Sequence, residues 1–428
     1  MDRRTGALGV ASPGPGWLAA RVRATVAMVQ SPVPRRELEV ARPAAPTLLA
    51  AVYAAAVAAC DPAPAVVEAL AEPAVATLRG GRRVWIAAVG KAAGAMAAGA
   101  VRALADEGAR PAGGLVIVPD GCAVDEPGLA AAGLTVRRAA HPEPDERSLH
   151  AGYELMALAR ACGKDELLLV LVSGGASALA SVPAPGLTLE GKRARVRALT
   201  AGGAAIGELN AARRSMSAIK GGRLAAACPA PVVTLVVSDV PGDDPSVVGS
   251  GPTVPARPGD VVRVVAGLAR LRREAAVAAR ACGLRPQVAD EDLVGDVEDA
   301  AARVIAATAA LPAGAVWIAG GEWTLTLGAA PGCGGRARHL ALVVARALAG
   351  DPGRVVLCAS SDGVDGTGPE AGAIVDGQTW ARVTAAGIDP AAALAARDAG
   401  TALAAIGAAI GGGATGVNHA DLVLVMSR

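Results

Sequence analysis

The stretch DELLLVLVSGGASAL, residues 165–179, decides the fold of this chain. It begins with an unbroken apolar run without polar alternation, which is typical of a strand buried on both faces of a parallel sheet. Ser173, Gly174 and Gly175 follow at the carboxyl end of that strand, and a helix is predicted to start at Ser177. Glycine lets the backbone approach a ligand closely, and free N–H groups at a helix start favour negative charge. The stretch therefore predicts a phosphate site formed by these four residues.

The composition narrows the class of protein. With 428 residues the chain can form two or three domains, and a net charge of +2 gives no field that would attract nucleic acid or a membrane. Aromatic residues make up only 2%, which argues against stacking on nucleic-acid bases. No apolar run reaches the roughly 18 residues of a membrane span. Seven scattered cysteines without a CxxC pair favour a reducing cytoplasm over zinc binding or disulfides.

A second strand–glycine–helix unit precedes the first. Residues 83–89 are predicted to form a strand, and Lys91 lies in the glycine turn that leads to a helix over residues 95–105. Tight helix packing would also explain the glycines of this turn. However, the chain contains only four lysines, and a lysine at such a turn can reach a phosphate as a point charge.

Polar residues follow other predicted elements. The apolar run at residues 232–237 delivers Asp239, and α/β enzymes place their chemistry at the carboxyl ends of parallel strands. Asp239 is therefore a candidate acid or base, or a ligand linked to Mg²⁺, although an aspartate at a turn can also cap local backbone. His141 lies in a rigid Pro-rich loop. Its side chain could contact a ligand, or it could simply be hydrogen-bonded to the backbone of the loop.

The segment NAARRSMSAIKGGRL, residues 210–224, has helical spacing. Asn210, Arg213 and Lys220 would share one face, and the pair Gly221–Gly222 would end the helix. A solvated basic face is the plain alternative. Because Lys220 stands at the glycine break, its long side chain could instead turn toward a ligand.

The C-terminal part contains two further glycine-rich turns. One, Gly334–Gly335 with Arg336, leads into a predicted helix, and the other follows an apolar strand and contains Asp362 and Asp365. Packing alone does not readily explain an arginine and two aspartates in such short turns, although aspartates are also common turn residues. Residues 257–310 are helical in period and are predicted to contain the domain boundary.

Taken together and in this order, these motifs resemble those of the class II glycerate kinases, a family with a C-terminal MOFRL domain. The matching pieces run from about Pro46 to the C-terminus. They are AVGKAAGAM, HPEPDE, VLVSGGASAL, NAARRSMSAIKGGRLA, SDVPGDD, SGPTVP, GGE, GGR and SDGVDGTGPEAGAIVD.

The resemblance implies an α/β protein of two domains, each a mainly parallel sheet flanked by helices, with the active site in the interdomain cleft. The expected divisions are a disordered extension over residues 1–45, a Rossmann-like domain over 46–283 and a MOFRL domain over 284–428. The last segment could pack back on the first domain. A cytoplasmic location is expected, with no nucleic-acid or membrane partner, and a homodimer is left open.

The implied activity is transfer of the ATP γ-phosphoryl group to D-glycerate, giving 2-phosphoglycerate, with Mg²⁺. The implied catalytic residues are Lys91, Asp239 and Arg336, and the implied metal ligands are Asp239 and Asp243. The implied substrate ligands are His141, Asn210, Arg213 and Arg223. The implied nucleotide ligands are Ser173, Gly174, Gly175, Ser177, Lys220, Gly221, Gly222, Gly334, Gly335 and Asp362.

The chain departs from the family pattern at two places. Ala337, Arg338 and His339 replace the usual polar residues after the GGR turn, and Gly413 and Ala414 replace a proline-bearing turn. Both departures bear on how a nucleotide is positioned. One alternative is an NAD(P)H-dependent hydroxypyruvate reductase, which would require the GxGxxG fingerprint that this chain lacks. The other is a non-catalytic protein that binds nucleotides or sugar acids.

Overall fold

The computed structural model describes residues 44–203, 206–328, 331–413, 415 and 418–428. Almost all of the predicted N-terminal extension, and Ala414 among the predicted departures, therefore lie outside the described residues. Within them, two sheets are each covered by helices. The two-domain α/β architecture that the sequence predicted is confirmed.

The first sheet is built around buried apolar strands at its centre, and its two edge strands are partly exposed. Its strands are β1 (Val84–Val89), β2 (Gly113–Pro119), β3 (Leu134–Ala139), β4 (Leu167–Ser173), β5 (Val232–Val237) and β6 (Val261–Ala266). All pair in parallel, in the order β3-β2-β1-β4-β5-β6. Strand order reverses between β1 and β4, and the carboxyl ends at such a point form a crevice where ligands bind.

The helices in this part of the chain pack on these strands or on the second sheet. They are α1 (Ala45–Ala59), α2 (Pro62–Ala71), α3 (Pro73–Arg79), α4 (Ala93–Asp106), α5 (Glu126–Ala131), α6 (Glu146–Ala161), α7 (Ala176–Leu179), α8 (Leu189–Ala201), α9 (Ile206–Ser215), α10 (Arg223–Ala226) and α11 (Leu268–Ala281). The strand β6 lies in a region for which the sequence predicted only helix. It has exposed positions at an edge of the sheet, so its apolar pattern is weaker than that of β4 or β5.

The second sheet differs from the predicted one because it is mainly antiparallel. Its strands are β7 (Arg285–Val288), β8 (Ala315–Gly321), β9 (Arg354–Ser360), β10 (Gly372–Asp376), β11 (Ala409–Ile410) and β12 (Asp421–Ser427). The C-terminal strand β12 inserts between β8 and β9 and runs antiparallel to both, and only β7 and β8 pair in parallel. A run of apolar residues predicts a buried strand but carries no information on strand direction, which explains the error.

The helices of the second part are α12 (Val297–Ala310), α13 (Arg336–Ala347), α14 (Thr379–Ala385), α15 (Pro390–Ala395) and α16 (Ala399–Ala405). Two helices from earlier in the chain, α1 and α11, cover the other face of the same sheet in one apolar cluster. The packing therefore divides the molecule differently from the predicted boundary at residue 283, because helix α1 lies with the second sheet. None of the described helices is by itself long and apolar enough to cross a membrane, and the pair α1–α2 that would suffice in length is bent by 55°.

Candidate active site

A cavity of about 310 Å³ lies at the carboxyl ends of β4 and β5, next to the point between β1 and β4 where strand order reverses. Much of its wall consists of predicted site residues: His141, Gly174, Gly175, Ser177, Asn210, Arg213, Lys220 and Asp239. These residues come from four separate segments of the chain, around residues 141, 174–177, 210–220 and 239. The structure therefore brings together most of the ligands predicted for the first domain.

One end of the cavity is formed by Gly174 and Asp239, and Lys91 lies beside the same turn. A Cβ at Gly174 would overlap the Asp239 carboxylate, so only glycine allows this aspartate to lie against the turn. The Lys91 backbone N–H donates to the Gly174 carbonyl at 2.8 Å. Burial raises the pKa of Asp239, and the charge of Lys91 lowers it in part. A carboxylate with a raised pKa beside a lysine suits proton transfer next to an anionic ligand.

His141 and Gly175 form the rim beside this end. Gly175 has a φ of +84°, and a Cβ there would come within 3.2 Å of His141 Nε2 and 3.4 Å of Lys91 Cγ. The glycine therefore lets the imidazole and the lysine stem approach the same turn from two sides. Burial and the charge of Lys91 lower the pKa of His141. Ser173 does not face the cavity, because its Oγ accepts a bond from the Ala92 N–H at 3.0 Å and ties β4 to helix α4.

The other end of the cavity is a network of buried donors. Lys220, 2% exposed, donates from Nζ to Ser177 Oγ at 2.8 Å and to the Gly249 carbonyl at 3.0 Å. Ser177 Oγ lies 3.2 Å from Ser250 Oγ, which lies 3.4 Å from Asn210 Oδ1. Burial and nearby cationic side chains hold the pKa of Lys220 well below its usual range.

The predicted helix over residues 210–224 is wrong in its second half. Helix α9 ends at Ser215, and the residues after it form turns and a bridge from Ser217 to Pro183. Lys220 nevertheless lines the same cavity as Asn210, because the chain leaves the helix at Ser215 and turns before Lys220. The Gly221 and Gly222 N–H groups are not free for a ligand, because they donate to the carbonyls of residues 250 and 251.

The two arginines of this segment have different environments. Arg213 lines the cavity and donates to Asn210 Oδ1 at 3.3 Å, and burial lowers its pKa. Arg223 is exposed, and its Nη1 donates to the carbonyls of Arg214 and Lys220 at 2.8 Å each. Only Arg213 is therefore in place to contact a ligand in the cavity.

Helix α8 supplies cavity residues that the sequence did not identify. Lys192, Arg193 and Arg197 of this helix line the cavity, and the two arginines bind the Glu143 carboxylate of the opposite loop. Lys192 is 4% exposed, and its Nζ donates to Ser181 Oγ at 2.7 Å. The scarcity of lysine in the sequence could have identified Lys192 as a candidate ligand. However, helix α8 has the charge pattern of a solvated helix, so the sequence did not predict that Lys192 lines the cavity.

Arg336 is held on the side of the second domain. Its Nε donates to Asp421 Oδ2 at 2.6 Å and its Nη1 to Glu322 Oε1 at 2.9 Å. These carboxylates raise the pKa of Arg336, although burial works against the rise. The charge of Glu322 also contributes to the raised pKa of Asp239, after burial as the largest cause. Of the predicted catalytic residues, Asp239 therefore lines the cavity and Lys91 lies beside it, whereas Arg336 belongs to the second domain and is not among the lining residues.

The turn at Gly334 and Gly335 does not offer a free anion site. The Asp365 carboxylate accepts from the Gly335 N–H at 3.1 Å and from two further N–H groups at the start of helix α13. Arg338, fully buried, also binds Asp365 and Glu370. The chain thus fills this helix start with its own carboxylate. Asp362 accepts from the Val364 N–H and from Ser360 Oγ, so its carboxylate stabilises the loop.

Asp243, predicted as a metal ligand, has a structural role. Its two carboxylate oxygens accept from the Leu268 and Ala269 N–H groups at 3.2 and 3.0 Å, which caps helix α11. Among the described residues, no group of three or more His, Cys, Asp or Glu side chains could hold a metal ion. A magnesium ion here would therefore need phosphate oxygens beside Asp239, which is a common arrangement for Mg²⁺.

Family models match the two parts of the chain. The model of a domain of unknown function, DUF4147, covers residues 48–281, and the MOFRL family model covers residues 315–421. A protein of Thermotoga maritima named D-glycerate 2-kinase is 32% identical over 80% of this chain and 90% of its own length. A protein of Agrobacterium vitis that carries the name hydroxypyruvate reductase is 37% identical over 89% of this chain and 94% of its own length.

A solved structure agrees with these matches. The crystal structure of glycerate kinase from Thermotoga maritima superimposes with a TM-score of 0.80 at 29% identity, covering 90% of this chain and 99% of that one. Both family models, the order of the motifs and the fold lead to the same assignment. The chain belongs to the glycerate kinase family that carries a C-terminal MOFRL domain.

Proposed function

We propose that this protein transfers the γ-phosphoryl group of ATP to the 2-hydroxyl of D-glycerate, giving 2-phosphoglycerate and ADP. The observation that carries the proposal is the cavity at the carboxyl ends of β4 and β5, which combines Asp239 at one end, with Lys91 nearby, and buried cations at the other. Glycerate and ATP are both anions, and one cavity with a general base and several cations suits both. The relatives named glycerate kinase supply the substrate class.

In this mechanism Asp239 accepts the proton of the glycerate hydroxyl as that oxygen attacks the γ-phosphorus. Its raised pKa suits this role, because a general base works best when its pKa lies near the working pH. Lys91 neutralises charge on the transferred group from the opposite side of Gly174. Arg336 approaches from the second domain and contributes a further positive charge. Phosphoryl transfer depends mainly on such positioning and charge neutralisation.

Mg²⁺ is part of the proposal, held mainly by phosphate oxygens, with Asp239 contacting it through a bound water so that the carboxylate stays free to accept the proton. The ion would neutralise phosphate charge when bound. Asp243 is excluded from this role by its two bonds to helix α11. A cytoplasmic location also belongs to the proposal, since all seven cysteines are free thiols.

The name hydroxypyruvate reductase among the relatives makes a second activity worth testing. The turn after β1 does not favour it, because the Ala92 N–H is bound to Ser173 and the Lys91 N–H to Gly174. In a dinucleotide-binding fold these N–H groups would face the pyrophosphate.

One experiment separates these activities. The purified protein is incubated with D-glycerate, ATP and Mg²⁺, and ADP release is measured. A second, enolase-coupled readout reports 2-phosphoglycerate, because enolase consumes that product. ATP binding is measured on the same preparation. A parallel incubation contains hydroxypyruvate and NADH. ADP release together with an enolase signal supports the proposal. ADP release without an enolase signal would indicate another regiochemistry, NADH oxidation would indicate a reductase, and ATP binding without turnover would indicate a binding protein.

A further inference from the structure

Three cationic side chains at the inner end of the cavity have no acidic partner. Within the described part of the chain, Lys192, Lys220 and Arg213 bond only to neutral oxygens, and no carboxylate lies within ion-pair distance of any of them. The contrast with Arg193 and Arg197 on the same wall is direct, because both bind Glu143. Burying a charge without a counter-charge is costly, so these three residues lower the stability of the ligand-free protein.

The three side chains act on one another. The charge of Arg213 lowers the pKa of Lys192, and the charges of Lys192 and Arg213 lower that of Lys220, in each case after burial as the larger cause. All three line the same cavity. An anion between them would relieve this repulsion.

Each side chain keeps donors for a ligand. Ser181 takes one hydrogen of the Lys192 ammonium group, and Ser177 and the Gly249 carbonyl take two from Lys220. Since an ammonium group has three hydrogens, donors remain on both lysines. Arg213 uses one nitrogen for Asn210 and retains its other N–H groups. Free donors of three side chains therefore line one cavity.

We propose that Lys192, Lys220 and Arg213 form a receptor for a phosphoryl group, with Lys192 as a ligand-binding residue. A carboxylate carries one negative charge and would leave most of the positive charge unbalanced. A phosphoryl group carries nearly two at neutral pH and offers three acceptor oxygens. The proposed kinase function would supply this group from the nucleotide or from the phosphorylated product, but the binding chemistry does not depend on turnover.

The test measures binding of inorganic phosphate to the full-length protein by calorimetry, with thermal unfolding measured in parallel. The variants are Lys192→Met and Lys220→Met, and exposed Lys164→Met is the matched control. We expect both cavity variants to weaken phosphate binding at least tenfold and the control to leave it unchanged. We also expect Lys192→Met to raise the unfolding temperature of the ligand-free protein, because it removes a buried charge. A purely structural Lys192 would instead lower that temperature.

Competition identifies the source of the phosphoryl group. Displacement of phosphate by 2-phosphoglycerate assigns the receptor to the product, and displacement by ADP assigns it to the nucleotide; either result supports the receptor. Absence of phosphate binding, equal binding by wild type and Lys192→Met, or a Lys192-dependent response to D-glycerate alone would overturn it. Phosphate binding that depends on Lys192 in a protein without glycerate kinase activity would refute the proposed function and leave the receptor in place.

Discussion

The imidazole of His419 lies with Nδ1 2.9 Å from the carbonyl oxygen of Ser238, the residue directly before Asp239. Its Nε2 lies 3.2 Å from the carbonyl oxygen of Cys60, at the end of helix α1. A fully buried side chain that precedes the C-terminal strand therefore contacts the end of β5 and the end of α1. This contact fixes the position of Asp239 relative to the second domain.

Replacement of this histidine should affect both stability and catalysis. We expect His419→Leu to lower the free energy of unfolding by about 1–3 kcal/mol, because it leaves a buried carbonyl oxygen without its donor. We also expect a lower kcat, since Ser238 and Asp239 lose a fixed neighbour. Chemical denaturation and steady-state kinetics on the same preparation would check both. An unchanged kcat in a destabilised variant would limit His419 to a structural role.

Asp239 and Asp243 provide a matched pair of carboxylates. Asp239→Asn should reduce kcat by about 10²–10⁴-fold, as expected for loss of a general base. Asp243→Ala should lower stability by about 1–2 kcal/mol through loss of the helix cap and change kcat by less than about threefold. Kinetics and denaturation of both variants test the assignment. A large loss of kcat in Asp243→Ala with normal stability would restore Asp243 as a metal ligand.

Gly174 tests whether the position of Asp239 matters. A side chain at this residue would overlap the Asp239 carboxylate, so Gly174→Ala should displace it. We expect kcat to fall about 100-fold while the protein remains folded by circular dichroism. Gly207→Ala is the control, because Gly207 lies in helix α9 with open space around it. Near wild-type activity of Gly174→Ala would show that the carboxylate position is not critical.

The pair of Arg336 and Asp421 separates stability from catalysis. Asp421 is fully buried, so Arg336→Met should cost about 3 kcal/mol of stability by leaving that carboxylate without its cation, and should also lower kcat. The double variant Arg336→Met/Asp421→Asn should recover most of the stability without recovering kcat. Recovery of both in the double variant would show that Arg336 acts only as a counter-ion.

His339 predicts a pH dependence of stability. Burial and the nearby Arg397 lower its pKa from 6.5 to about 4, so the folded protein holds a neutral imidazole. The unfolded chain binds a proton at higher pH, and the stability from this group is therefore complete above about pH 6.5 and lost as the pH falls toward 4. The loss should approach about 3 kcal/mol. Chemical denaturation at a series of pH values should show this loss of unfolding free energy in the wild type but not in His339→Gln. His150 is exposed, so the control variant His150→Gln should behave like the wild type.

The sequence by itself determined the local units of this protein. The apolar run before Ser173 and the run before Asp239 were sufficient to predict β4 and β5, because continuous burial leaves an unmistakable pattern. The glycine turns with Lys91 and Gly174 also followed from the sequence, since few residues other than glycine allow such close contacts. Most of the predicted first-domain ligands meet in one cavity for this reason.

The tertiary structure alone decided which groups satisfy one another. The Asp365 carboxylate accepts the N–H groups at the start of helix α13, where the sequence predicted a nucleotide site. Lys192 lies on the charged helix α8 but lines the cavity. Both outcomes depend on contacts between residues distant in the chain. Strand direction in the second sheet was hidden for the same reason, since β12 pairs with strands about 70 and 100 residues earlier. Periodicity fixes the face that a residue occupies, but the partner on that face is set by packing of the whole fold.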